Sequence, residues 1–153
     1  MSFFERFEGY FEQPVAKKAA KSLSNGAEIG LKIGSDCFTF TKENGENQLI
    51  ASAPKKPQIT FVIPELAAEQ ILSRQTNEIG EIGVHIAQLI LSQDPAKKVQ
   101  IQLHTGVIEL LTKGYFGVIA AGGSSFASFL ASKGLKSVGA IRTTVSYTHL
   151  RAH

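Results

Sequence analysis

Apolar residues recur along this chain with two different periods, and each change of period marks a change of element. Phe3, Phe4, Phe7 and Phe11 fall three or four apart, the spacing of one helical face, and Ser2 with Glu5 forms a capping box ahead of them. Pro14 interrupts that run and suits the first turn of a second helix through Leu23. In that helix Val15, Ala19 and Ala20 point inward, Lys17, Lys18 and Lys21 point to water, and Asn25-Gly26 closes it. From Ile29 the period drops to two. Ile29, Leu31 and Ile33 alternate with smaller or polar residues, then Phe38 and Phe40 do the same, with Gly34-Ser35-Asp36 as the turn between the runs. Asn44-Gly45 is the pair that a tight hairpin prefers, because both central positions take positive φ. Asn47 to Ala51 is therefore expected to pair back, giving a three-strand antiparallel meander.

Pro54-Lys-Lys-Pro57 breaks the pattern, after which Ile59, Phe61 and Ile63 alternate as a fourth strand and Pro64-Glu65 opens a helix through about Ser73. The segment from Glu78 to Ser92 places Ile79, Ile82, Ile86, Leu89 and Ile90 on one helical face and Glu81, His85, Gln88 and Ser92 on the other. Asp94-Pro95 ends it. Val99, Ile101 and Leu103 form a fifth strand with Gln100, Gln102 and His104 on its opposite face, and Thr105-Gly106 leads into a short helix from Val107 to Lys113. The pattern predicts an α/β (α+β) domain in which a five-stranded, mostly antiparallel sheet is covered by helices. No repeat or linker divides the chain, so residues 1–142 are expected to form one domain.

Charge changes the picture in one place. Sixteen Lys and Arg against thirteen Asp and Glu give a net charge of +3, too small and too scattered for a nucleic-acid binder. The charged share is 19 %, below the usual ~25 %. Much of that deficit lies between Lys113 and Lys133, where nineteen residues carry no charge. As a helix, this stretch gathers Phe116, Ile119, Ala120, Gly123, Ala127 and Leu130 into one stripe flanked by Phe126 and Phe129, with serines on the other side. Gly122-Gly123 and four serines argue against a transmembrane span. The N-terminus lacks the basic and continuous apolar regions of a secretory signal, so a cytoplasmic location is the expectation. Lysine pairs at 17–18, 55–56 and 97–98 read as solvated surface, with peripheral contact to anionic lipid headgroups as the alternative.

Catalytic constellations are sparse. Gly122-Gly123-Ser124-Ser125 lacks the spacing of a nucleophile elbow, and the Rossmann and P-loop glycine patterns do not occur. His85 and His104 read as polar-face residues, and the sole cysteine, Cys37, reads as a small buried strand residue that excludes an internal disulfide. No metal site, cofactor or enzymatic activity is expected. What remains is apolar: an aliphatic sheet face, a helix with a wide apolar side and a charge-free terminal segment.

Three stretches give this order a family likeness. They are the hairpin Phe38-Thr-Phe-Thr-Lys-Glu-Asn-Gly45, the strand Pro57-Gln-Ile-Thr-Phe-Val-Ile63 running into Glu65-Leu-Ala-Ala-Glu-Gln-Ile-Leu72, and Lys98-Val-Gln-Ile-Gln-Leu103 followed by Gly106 and apolar helices. From about Ala27 to Leu135 the chain resembles the sterol-carrier-protein type 2 family of lipid-binding domains. It departs from the family pattern at Leu103-His-Thr-Gly106, at Ile63-Pro64 and in the long helix from Glu78. The resemblance implies a five-stranded sheet and helices around an apolar tunnel that accepts a sterol, a fatty acyl chain or another lipid. Candidate lining residues are Phe61, Ile101 and Leu103 from the sheet, Ile82 and Ile86 from the long helix, and Phe116, Ile119, Phe126 and Phe129 from the terminal segment. The alternative is an interaction module whose apolar C-terminal helix docks on a partner protein or a membrane surface.

Val145-Ser-Tyr-Thr-His-Leu-Arg-Ala-His153 resembles translated adapter sequence joined to a gene fragment, and residues 143–153 show no periodic apolar face. Deleting them is expected to leave the melting temperature unchanged in differential scanning fluorimetry; a clear fall would mean that the tail packs.

Overall fold

In the computed structural model the described residues are 2–74, 76–115 and 117. The expectations for Phe116, for the apolar segment after 117 and for the tail lie outside them. The chain order is α1 (Phe3–Phe11), α2 (Pro14–Ala19), β1 (Glu28–Ile33), β2 (Asp36–Glu43), β3 (Glu46–Ile50), β4 (Ile59–Ile63), α3 (Glu65–Ser73), α4 (Ile79–Ile90), β5 (Gln100–Leu103) and α5 (Val107–Thr112). The five-stranded sheet has the order β3-β2-β1-β4-β5. The expected meander is present: β1 pairs antiparallel with β2, and β2 with β3. Asn44 and Gly45 take φ of 52° and 78° in the hairpin turn, as that dipeptide predicts. The second helix is shorter than its sequence pattern, stopping at Ala19 and leaving residues 20–27 to run to β1.

β1 and β4 are parallel, the single parallel pair in a sheet whose other three pairs are antiparallel. A parallel pair needs a crossover, because its strands start at the same end. Here the crossover is the β3–β4 loop, which passes over the polar face of the sheet. Thr39 Oγ1 donates to Ser52 O at 2.8 Å, and Pro54 lies against Gly30, where an added Cβ would stand 2.9 Å from the proline ring and 2.8 Å from Thr60 Oγ1. Glycine at 30 is thus required by the close passage of the loop. Thr39 and Thr41 are buried on this side, and Thr41 Oγ1 donates to Ala27 O. Cys37 shares this face and is half-buried, which corrects the expectation of a buried thiol. The alternation of β2 turns Cys37 away from the apolar side occupied by Phe38 and Phe40.

The apolar face carries the core. Leu31, Ile33, Phe38, Phe40 and Ile63 from the sheet are buried together with Phe7, Ala67, Ala68 and Ile71 from the helices. Each large side chain fully removed from water contributes roughly 1.5–3 kcal/mol. Helix α1 begins as its capping box predicts, with Ser2 Oγ accepting from the Glu5 N–H at 3.2 Å. It lies on β2 through aromatic pairs, Phe4 with Phe38 at 5.5 Å and Phe11 with Phe40 at 4.8 Å between ring centroids. Arg6 forks onto both carboxylate oxygens of Glu69, linking α1 to α3 at the surface.

At the other end of the strands a single carboxamide joins several segments. Gln58 Oε1 accepts from the Glu28 N–H at 2.7 Å and from the Tyr115 hydroxyl at 2.8 Å. The Gln58 backbone N–H donates to Glu28 O, and Gln58 O accepts from the His104 N–H. Burial pushes the Tyr115 phenol up to about 12, so it stays a donor across the ordinary pH range. Gln58→Leu would leave the Glu28 N–H without its acceptor, at roughly 1–3 kcal/mol, and leave the Tyr115 hydroxyl only its longer bond to Glu28 O at 3.4 Å. The expected result in urea unfolding is a loss of about 2–3 kcal/mol, whereas Tyr115→Phe, which leaves Gln58 in place, loses about 1 kcal/mol.

Candidate functional site

Burial on the apolar sheet face is uneven. Cross-strand pairing places Ile29, Ile59 and Leu103 in one row and Leu31, Phe61 and Ile101 in the next. Phe38 and Phe40 on β2 are 5 % exposed, and Leu31 on β1 is 6 % exposed. Ile59 and Phe61 on β4, and Ile101 and Leu103 on β5, are only half-buried. The face is therefore well covered over β2 and partly open on the β5 side, and Leu49 at the β3 edge is half-buried as well. The three sheet residues expected from sequence, Phe61, Ile101 and Leu103, are brought together here, and Phe61 with Leu103 also packs against the main core. Ile59 belongs with them; its place in the same alternation made it visible in the sequence.

Helix α4 repeats the same theme with helical geometry. Glu81 and Gln88 face solvent, while Gly80 with Ala87, and His85 with Leu89, are buried on the two flanks. Between those flanks, opposite the solvent side, run Ile79, Ile82, Ile86 and Ile90, all half-buried. Ile90 packs against the main core, while Ile79, Ile82 and Ile86 keep part of their surface exposed. Ile82 and Ile86, one turn apart, both lie on this arc. Position 85 corrects the sequence expectation: His85 is buried, 7 % exposed, and not on a polar face. In a 3.6-residue helix His85 lies only about 40° round from Glu81 and about 60° from Gln88, and that turn is enough to carry a side chain from water to a packed flank.

The ends of α4 are held locally. Thr76 Oγ1 accepts from the Glu78 N–H at 3.1 Å and donates to Glu81 Oε2 at 2.6 Å, ordering the first turn. Lys98 Nζ donates to Ile90 O at 2.6 Å, a cation against the negative end of the helix dipole. Val99 N–H donates to Leu89 O, which sets the entry to β5.

The two described histidines lie apart in role. His104 is exposed and its Nε2 is 2.8 Å from Thr60 Oγ1. Burial, and secondarily the positive charge of Arg74, holds His85 below the usual imidazole range. Among the described residues no three His, Cys, Asp or Glu side chains converge as a metal site, and no helix is long and apolar enough to cross a membrane. A separate cleft of about 290 Å³ lies between the end of α1 (Glu8, Phe11, Glu12) and the β2–β3 hairpin (Phe40, Asn47, Gln48, Leu49, Ile50). Its lining is mixed in polarity, and none of the nine sequence-expected residues contributes to it. Phe116, Ile119, Phe126 and Phe129, the remaining four, fall outside the described residues.

No family model matches the sequence, and no curated protein matches it. Among solved structures the chain is similar to a UbiJ-SCP2 ubiquinone synthesis protein, at 11 % identity and a TM-score of 0.44, over 78 % of this chain and 95 % of that one.

His85 yields a pH prediction. Its folded-state affinity for a proton is depressed, so the unfolded chain binds the proton first as pH falls through about 6.5, and the stability present above that pH is progressively lost. His85→Gln is expected to flatten this loss. Between pH 7 and pH 5 the melting temperature of the wild type should fall further than that of the variant; parallel curves would contradict the burial of an uncharged imidazole.

Proposed function

We propose that this protein binds a lipid or other hydrophobic molecule non-covalently and carries or presents it without catalysing a reaction on it. The observation that supports this most directly is the pair of incompletely covered apolar surfaces: the β4–β5 end of the sheet and the isoleucine arc of α4. A sealed core would have buried both. The proposed lining is Phe61, Ile101 and Leu103 with Ile82 and Ile86, extended by Phe116, Ile119, Phe126 and Phe129 from the uncharged segment that follows α5. The likeness of the hairpin, of the β4–α3 entry and of β5 to sterol-carrier-type domains supports the same reading, as does the want of a paired acid and base among the described residues. Covering about ten ligand methylenes at ~0.8 kcal/mol each supplies about 8 kcal/mol before association and ordering costs, enough for useful affinity without a charged anchor.

A second reading has one observation in its favour. Ile108 on α5 is 80 % exposed, as a residue of a partner-docking surface would be. The two readings separate by mutation. Ile86→Asp places a carboxylate on the isoleucine arc of α4, where desolvation opposes it, and Ile108→Asp alters only the exposed side of α5. Binding of an uncharged fluorescent lipid is expected to weaken at least tenfold in Ile86→Asp, with far-UV circular dichroism retained, and to be unchanged in Ile108→Asp. Native mass spectrometry of gently purified wild type, followed by organic extraction, should recover a bound lipid. A wild type that takes up no apolar probe would remove the carrier reading and leave the docking one.

A further inference from the structure

We infer that the β3 edge of the sheet is a docking site for an extended peptide, which adds as a further strand and sets an arginine or lysine side chain in the cleft beside the end of α1. The site shares no residue with the proposed lipid lining. The pairing of β2 decides which way β3 faces. Lys42 N–H donates to Ala27 O at 3.3 Å and Lys42 O accepts from the Gly26 N–H at 2.8 Å, so the backbone of Lys42 is turned toward β1. Its cross-strand partner Asn47 is therefore in a non-hydrogen-bonded pair, and so is Leu49 opposite Phe40. The N–H and C=O groups of Asn47 and Leu49 point out from the sheet, and among the described residues no group bonds to them. Edge strands commonly carry a proline, a lysine or a bulge that blocks further pairing. β3 has none of these: its register with β2 is unbroken, and Glu46 is its one charged residue.

The same two residues line the cleft of about 290 Å³, together with Phe11, Phe40 and the acidic residues Glu8 and Glu12. Asn47 Oδ1 is shut off from water and has no hydrogen-bond partner among the described residues, which costs free energy until a donor is supplied. Rotation about the soft terminal torsion of the amide presents that oxygen to the cleft. In an added strand, alternate side chains fall on the face that Asn47 and Leu49 share, and they enter the cleft from the open edge. An aliphatic stem there lies along Leu49 and the rings of Phe11 and Phe40, and its terminal cation meets the Asn47 amide beside the two acidic residues. Glu8 and Glu12 are both exposed, and Glu12 is paired only with the exposed Lys17 at 3.1 Å. Lys42, the neighbouring cation, has its ammonium on Lys21 O and Ala20 O. Arginine suits the cleft better than lysine, because a guanidinium fork serves several acceptors at once. A second copy of β3 suits it less, since antiparallel pairing would bring two acidic α1 ends to one face of a common edge.

The test uses a capped peptide of alternating arginine and valine, titrated into the full chain and followed by fluorescence anisotropy and by amide chemical shifts. Saturable binding is expected, with the Asn47 and Leu49 amides shifted and slowed in hydrogen exchange. The same peptide with glutamate in place of arginine should bind at least tenfold more weakly, a difference of about 1.4 kcal/mol. N-methylation separates strand addition from plain charge attraction, because it keeps the charge and removes the donors. Methylating the arginine amides should abolish an antiparallel addition, and methylating the valine amides a parallel one. Joint Glu8→Gln and Glu12→Gln substitution should weaken the arginine peptide about tenfold with the melting temperature nearly unchanged. The inference is overturned if the arginine peptide does not bind, if the glutamate peptide binds as well, or if neither N-methylated peptide loses affinity. It is equally overturned if the Asn47 and Leu49 amides are protected from exchange before peptide is added, or if light scattering finds a dimer whose contact maps to β3. None of these outcomes bears on lipid uptake, so the two readings fail separately.

Discussion

The architecture depends on the way one side-chain amide, that of Gln58, fixes the start of the parallel β1–β4 pair. A parallel pair gets no register from a tight turn, since its strands are joined by a long crossover. Gln58 supplies the register instead. Its backbone N–H reaches Glu28 O, its side-chain oxygen receives the Glu28 N–H and the Tyr115 hydroxyl, and its carbonyl receives the His104 N–H. The beginning of β1, the beginning of β4, the end of β5 and the segment after α5 therefore meet at one residue. Slipping β4 by one position would turn Ile59, Phe61 and Ile63 to the polar face, and the half-open apolar end of the sheet would cease to exist.

The sheet then acquires two unlike ends. On the β2 side α1 lays Phe4 and Phe11 on Phe38 and Phe40 and buries both strand residues. On the β5 side the described helices leave Phe61, Ile101 and Leu103 half-covered, and α4 carries an equally half-covered row of isoleucines. The proposed function follows from that inequality more than from any single residue. Three of the half-buried cations, Arg6, Lys42 and Lys98, are engaged at the periphery by a carboxylate or by backbone carbonyls.

Much of this was legible in the sequence because it rests on local rules. Alternation identified the strands, Asn44-Gly45 identified the hairpin, Ser2 with Glu5 identified the start of α1, and the same alternation placed Phe61, Ile101 and Leu103 on one face. What the sequence hid was non-local. The parallel pairing of β1 with β4 needs a partner nearly thirty residues away, and nothing local specifies it. His85 was misread because a polar side chain one helical turn from solvent-facing Glu81 and Gln88 is assigned to water until the packing of both flanks is known. Cys37 was misread because strand alternation gives the two faces but not which of them is covered, and the crossover loop covers the polar face only in part. The difference between a filled core and a half-open one is likewise a property of how elements meet, and no period in the sequence encodes it.

The crossover from β3 to β4 has a kinetic consequence. The β1–β2–β3 meander closes through short turns, whereas β4 can join only after the chain has returned across two strands, and loop-closure entropy opposes that step. β5 depends in turn on β4, its one neighbour among the described strands. The two strands that dock at greatest entropic cost are thus the two that border the half-open apolar region. In amide hydrogen exchange the β4–β5 ladder is expected to open at lower free energy than the meander, which would give a bulky hydrophobic guest a route in and out through fluctuation of the sheet's own edge.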